Sequence, residues 1–239
     1  MSNFKVTIFG CSVAVRIRPS EKHPNNKNYG SVLEDLLFNE ISKKNILVQN
    51  FGFSRATITE IYEKLENYTA TFPDFFVLNI GVPDASTREI PYWFAQILNK
   101  RTDSLIKTVF SFIHSKIIKK SNSFFVKLRG KRTWLKFRKF SNYYDEILKT
   151  LVKDTNAKII TMSINQADNR IEKIIPGSSK NYIKYNNEIK KLSEKYGVIH
   201  LNLDDLVSEN HYPDGIHFNQ EGHKIVAKRL FEIIKNEIE

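Results

Sequence analysis

Phe4-Lys5-Val6-Thr7-Ile8-Phe9 runs directly into Gly10-Cys11-Ser12, and the reading of this stretch decides the fold class. Six residues rich in β-branched and aromatic side chains, halted by a glycine, read as a short buried strand that stops at a turn. The same grammar recurs downstream. Residues 45–51 (NILVQNF) end at Gly52, residues 74–80 (DFFVLNI) end at Gly81, and residues 157–164 and 198–203 supply two more apolar runs. Amphipathic helical patterns alternate with these strands. They are marked by Leu33, Leu36, Leu37 and Ile41, by Ile58, Ile61 and Leu65, by Ile183, Ile189 and Leu192, and finally by Ile225, Val226, Leu230 and Ile233. Ser31 followed by Glu34 has the form of a capping box, and Asn219 stands where the last helix needs its N-cap. Residues 13–18 alternate apolar and polar before a loop rich in Pro, Asn and Lys over residues 19–29. Buried strands alternating with amphipathic helices predict an α/β fold whose parallel sheet is covered on both faces.

At 239 residues the chain suits one such domain, residues 1–239, carrying one insertion. The insertion is defined by charge. Residues 104–144 hold 11 of the 37 Lys and Arg residues and no Asp or Glu, which leaves 26 basic against 26 acidic residues elsewhere. The whole excess of +11 therefore belongs to one segment, an enlarged crossover between the third and fourth strands. A single cysteine excludes an internal disulfide and a cysteine-built zinc site. No apolar run approaches the roughly 18–20 residues that cross a bilayer, and the N-terminus lacks the zones of an export signal. The cytoplasm is the expected location, with a peripheral place at the inner membrane surface left open by the basic segment.

In parallel sheets of this kind, ligands gather at the carboxyl ends of the strands, near the point where strand order reverses. Ser12 lies there, directly after the first strand, and a serine hydroxyl needs a base to become a nucleophile. Asp214-Gly215-Ile216-His217, just before the last helix, offers one. A spacing of three on a turn lets the carboxylate reach one ring nitrogen and leaves the other for serine.

Together the blocks Gly10-Cys11-Ser12, Gly52, Gly81-Val82-Pro83-Asp84 and Asp214-Gly215-Ile216-His217 resemble, in order and in context, the four blocks of the SGNH/GDSL hydrolases. That resemblance spans nearly the whole chain except the basic segment. It implies a three-layer α/β/α sandwich of flavodoxin-like form, no cofactor and no metal. It also implies acyl transfer through a serine ester, with Ser12 as nucleophile, His217 as general base then acid, and Asp214 as its orienter. Two positions depart from the family. Cys11 replaces an aspartate outside the triad, and Pro83 replaces an asparagine that donates to the oxyanion, which proline cannot do. The backbone N–H groups of Ser12 and Gly52 are the expected oxyanion hole, with Asn50 or Asn79 as substitutes for the missing amide.

Arg16 and Arg18 are candidate contacts for an anionic substrate group. Asp84 and Arg88 either line the pocket or form a surface ion pair, whereas His200, His211 and His223 read as structural and His114 as a surface residue. In the insertion, Phe124, Phe125, Trp134, Phe137 and Phe140 interleave with cations. That composition suits an anionic membrane surface, an anionic glycan or polymer, or simply a solvated helical face, and nucleic acid is disfavoured because no binding module accompanies the charge. The leading expectation is an O-acyl esterase, with acetyl the favoured group, acting on a carbohydrate or glycan intermediate. The alternatives are an acyltransferase to a sugar hydroxyl, or a catalytically weak module that binds anionic glycan or membrane.

Overall fold

The computed structural model describes residues 3–19, 25–41, 45–99, 105–206 and 208–238. Part of the expected loop over 19–29, at 20–24, and the first residue of the basic segment, 104, lie outside them. Five strands form one parallel sheet in the order β2-β1-β3-β4-β5: β1 (Asn3–Cys11), β2 (Asn45–Phe53), β3 (Phe75–Asn79), β4 (Lys158–Met162) and β5 (Ile199–Leu201). From β1 the chain steps outward to β2 and then crosses back to β3 on the other side. Strand order therefore reverses at β1, the strand that ends at Ser12. Register pairs Gly10 with Gly52 and with Asn79.

Right-handed crossovers send helices to opposite faces according to the direction of travel. α1 (Tyr29–Glu40) packs against the C-terminal helix α12 (Gln220–Ile238) on one face. The other face carries α2 (Ile58–Tyr62) and α3 (Leu65–Thr69), α8 (Phe137–Asp154) and α10 (Ser178–Tyr196), with α8 packed on both α2 and α10. Helices on both faces make the expected three-layer sandwich. The centre is closely packed: every residue of β3 is buried, and Phe9 stacks on Tyr68 with ring centroids 4.7 Å apart.

Between β3 and α8 the crossover adds α4 (Val82–Ala85), α5 (Tyr92–Asn99), α6 (Leu105–Ile113) and α7 (Asn122–Leu128), with a π turn and a 3₁₀ turn joining the last two. α5, α6 and α7 gather around a small apolar cluster of their own, Ile90, Phe94, Ala95 and Ile118, while Val82 and Ala85 of α4 join the main core. The remaining short helices are α9 (Asn169–Ile174) and α11 (Ser208–His211).

Several local expectations are corrected. α1 starts earlier than a Ser31 cap implies: Asn28 is its N-cap and accepts from the Ser31 N–H, while the Glu34 carboxylate accepts from the Val48 N–H of β2 at 3.0 Å. Residues 12–14 form a 3₁₀ turn at the start of the alternating apolar and polar stretch. The helical pattern over residues 58–65 splits into α2 and α3. On α10 the inward face is built by Tyr182, Tyr185, Ile189 and Leu192, and Ile183 points to solvent at 62% exposure.

Candidate active site

Ser12 opens the 3₁₀ turn that ends β1, so its backbone N–H has no partner within that turn and its side chain stays partly exposed. Alternation along the strand sends the neighbouring Cys11 the other way, into the core. Burial pushes the Cys11 thiol up to about 12, which keeps it protonated and makes it a packing group beside the site.

Facing Ser12, the Asp214–His217 turn is held by several independent constraints. The Asp214 Oδ1 accepts from the N–H groups of Ile216 and His217, at 3.0 and 2.7 Å. Gly215 sits at φ 78°, and a Cβ there would lie 2.5 Å from Cγ1 of Ile171, so only glycine fits. Asn165 donates to the Gly215 carbonyl, and the Arg170 guanidinium donates to the carbonyls of Tyr212 and Pro213.

This scaffold brings three side chains into line. Asp214 Oδ2 lies 2.8 Å from Nδ1 of His217, and Nε2 of His217 lies 2.9 Å from Oγ of Ser12. A proton on Nδ1 satisfies the carboxylate and leaves the Nε2 lone pair to accept from the serine hydroxyl, which is the tautomer a general base needs. Arg18 adds a fourth donor, its Nε 3.2 Å from Asp214 Oδ2. Burial alone would raise the Asp214 carboxyl, but the hydrogen bonds from the His217 ring and backbone outweigh it and hold the group well below the usual carboxylate range.

Other candidates take supporting positions. Arg18 faces Asp214 and therefore sits behind the triad, while Arg16 is exposed and donates to the Ser54 hydroxyl at 2.9 Å. Asn50 does not face the crevice as a spare amide: its Nδ2 donates to the Ala14 carbonyl and to Oδ1 of Asn28, at 2.9 and 3.2 Å. Asn79 is buried, and its Nδ2 donates to the Tyr29 hydroxyl at 3.2 Å and to the Met162 sulfur at 3.9 Å. Neither amide has a hydrogen left to take over the role lost at Pro83. Gly52 lies on β2 under Val15, where a Cβ would approach Val15 Cγ1 to 2.6 Å.

Asp84 and Arg88 form neither a pocket wall nor a surface ion pair. Asp84 is fully buried, both of its oxygens accepting from the Ile58 N–H at the start of α2, and burial pushes its carboxyl up to about 8 against the pull of that N–H and of Arg88. Arg88 donates to the Pro83 carbonyl and stacks over Trp134, 4.1 Å from the ring centroid, which ties the third block to the insertion.

His223 is structural, as expected. It is fully buried, its Nδ1 accepting from the Tyr29 N–H and its Nε2–H donating to the Arg16 carbonyl. His114 is partly buried beside Glu89, 3.1 Å away, instead of lying free on the surface. Sequence reasoning missed Asn165 and Arg170, because a polar residue on the β4–α9 loop and an arginine in the first turn of α9 carry no local signal that they clasp a turn 42 to 50 residues further on.

A model of the GDSL-like lipase/acylhydrolase family matches residues 9–225, which contain all three aligned side chains. The chain belongs to this family. As a member it is an enzyme, a hydrolase of the SGNH type. Comparison with curated proteins returns no match. Among solved structures it is similar to an acetylxylan esterase from Geobacillus stearothermophilus, at 15% identity, TM-score 0.63, and 97% and 94% coverage of this chain and that one. It is also similar to an alpha/beta hydrolase from the metagenome of Lake Arreo, Spain (16%, 0.63, 95% and 92%) and to the lipase/acylhydrolase of Enterococcus faecalis (16%, 0.61, 98% and 96%). At such identities these likenesses establish a shared fold.

Proposed function

We propose that this GDSL-family hydrolase is a serine esterase that removes a small acyl group, acetyl in the first instance, from a carbohydrate hydroxyl. The observation that carries the reading is the hydrogen-bonded line from Asp214 through His217 to Ser12. Structures of the Geobacillus acetylxylan esterase include variants described as catalytic mutants at a serine, at an aspartate, and at a histidine three residues after that aspartate. Ser12, Asp214 and His217 have the same residue types in the same order, with the same three-residue step from aspartate to histidine, which supports giving them the same roles.

Ser12 Oγ attacks the acyl carbonyl while Nε2 of His217 takes its proton, and the carbonyl oxygen becomes an oxyanion. The backbone N–H groups of Ser12 and Gly52 receive that charge in our reading. The tetrahedral adduct then collapses: the ester C–O bond breaks, the sugar oxygen leaves with the proton from Nε2, and the acyl group remains on Ser12. Water repeats the sequence in reverse, giving its proton to Nε2, releasing the acid and restoring the hydroxyl. With proline at position 83, which offers neither an amide side chain nor a backbone N–H, this reading leaves the hole two donors and not a third. Loss of one such donor costs about 10²–10³ in rate, so turnover on a simple ester is slow and not absent.

A fluorophosphonate probe is expected to label the wild-type protein and not Ser12→Ala, and p-nitrophenyl acetate hydrolysis is expected to vanish in His217→Ala. Equal labelling of Ser12→Ala, or no labelling of either protein, rules the reaction out and leaves a binding module.

A further inference from the structure

We propose that the helical insertion between β3 and β4 docks the protein on the surface of an anionic bilayer. The observation behind it is an apolar face turned outward. A surface helix normally buries its apolar stripe and shows water its polar side. α6 is apolar on two sides: Phe110 and Ile113 pack inward on the cluster of Ile90, Phe94, Ala95 and Ile118, while Leu105, Val109 and Phe112, at i, i+4 and i+7 on a second stripe, face solvent, with Leu105 at 86% and Phe112 at 61% exposure. Ile106 beside them is exposed as well. On α7, Phe124 and Leu128 are also exposed, Leu128 at 70%. Apolar surface of this kind on a soluble domain marks a place of contact.

The charge around it selects the partner. Lys116, Lys119, Lys120 and Lys127 are exposed on the same helical run, and the segment contains no acid to neutralise them. Apolar side chains that enter the acyl boundary, flanked by cations at headgroup level, form the pattern of an interfacial anchor. An anionic polymer would be held by the cations alone and would leave the apolar stripe without purpose. A second copy of the chain would cover the stripe but would bring two like-charged insertions together, with a formally neutral remainder to oppose them.

The anchor is also joined to the site. Val126 of α7 packs with Ile171, Ile175 and Ile216, and Ile216 lies between Asp214 and His217. Docking would therefore hold the triad next to the membrane surface. The proposal that acyl esters presented there are the substrates rests on the hydrolase reading above, whereas docking itself does not.

The test is co-sedimentation of the full chain with vesicles of phosphatidylcholine, with and without phosphatidylglycerol. Binding to the phosphatidylglycerol vesicles alone is expected, and it should weaken as salt is raised. The triple variant Leu105→Gln, Val109→Gln, Phe112→Gln should lose binding by about tenfold or more, while its thermal melt and its hydrolysis of soluble p-nitrophenyl acetate stay unchanged. Ser12→Ala should bind like wild type, so a failure of catalysis and a failure of docking are read separately. Wild-type affinity in the triple variant overturns the proposal. So does retention on a heparin column without vesicle binding, which points to a polymer, or a concentration-dependent dimer that the triple variant dissociates.

Discussion

One carboxylate, that of Asp214, receives donors from the His217 ring, two backbone N–H groups and Arg18, and these donors are not equivalent. The ring hydrogen bond fixes the tautomer. In Asp214→Asn the amide can present N–H to Nδ1 and turn Nε2 into a donor facing Ser12, which removes the base. A fall in kcat of about 10³–10⁴ with little change in KM is the expected outcome in steady-state assays. Arg18 is a partly exposed partner screened by solvent, so Arg18→Gln should cost less than about tenfold, and the wild-type advantage should shrink in high salt. Equal losses in the two variants would show that Asp214 acts by general field and not by orienting the ring.

At the scale of elements, the placement of the nucleophile depends on how closely β1 and β3 approach. A Cβ on Gly10 would lie 2.1 Å from the Asn79 carbonyl oxygen, a backbone atom of the adjacent strand that has no rotamer by which to escape. Gly10→Ala must therefore push the strands apart or bend β1 just before Ser12. Overpacking of this kind costs about 1–3 kcal/mol, and a domain of this size loses about 2–4 °C per kcal/mol, so calorimetry should show a melting temperature lower by about 2–12 °C. A variant that melts with wild type would mean that the strand junction is looser than its geometry implies.

Across the whole molecule, His223 joins the two ends of the chain. From α12 it bonds the Arg16 carbonyl after the nucleophile turn and the Tyr29 N–H at the start of α1. Burial pulls its imidazole down to about 4, below the 6.5 of an exposed histidine. Between those values the unfolded chain binds the extra proton and the folded one does not. The contribution of His223 is therefore complete above about pH 6.5 and is lost as pH falls through 4, a change of roughly 3 kcal/mol. Thermal melts of wild type should drop across that window. In His223→Gln the melting temperature at neutral pH should be lower and its slope between pH 6.5 and 4 shallower, whereas an unchanged slope would assign the acid sensitivity to other groups.

What sequence by itself determined was local. Runs such as residues 4–9 and 74–80 and the three-residue spacing from Asp214 to His217 carry their conformational meaning within a few residues, so the parallel sheet, the strand-end serine and the acid–imidazole pair were legible, although β1 and β2 run on through Gly10 and Gly52 to Cys11 and Phe53 instead of stopping at the glycines. Where a side chain had a distant suitor, local grammar misled. Glu34 looks like a capping-box acid until Val48 of β2 draws it away, Asn50 looks free until the carbonyl of Ala14 and the side chain of Asn28 claim its amide, and Asp84 looks like a surface ion-pair partner until α2 buries it. Only the tertiary structure decided that Arg18, Asn165 and Arg170 converge on the Asp214 turn and that α6 turns a second apolar stripe outward. Hydrogen bonds and burial are settled by distances in space, and chain separation says nothing about those until the fold has closed.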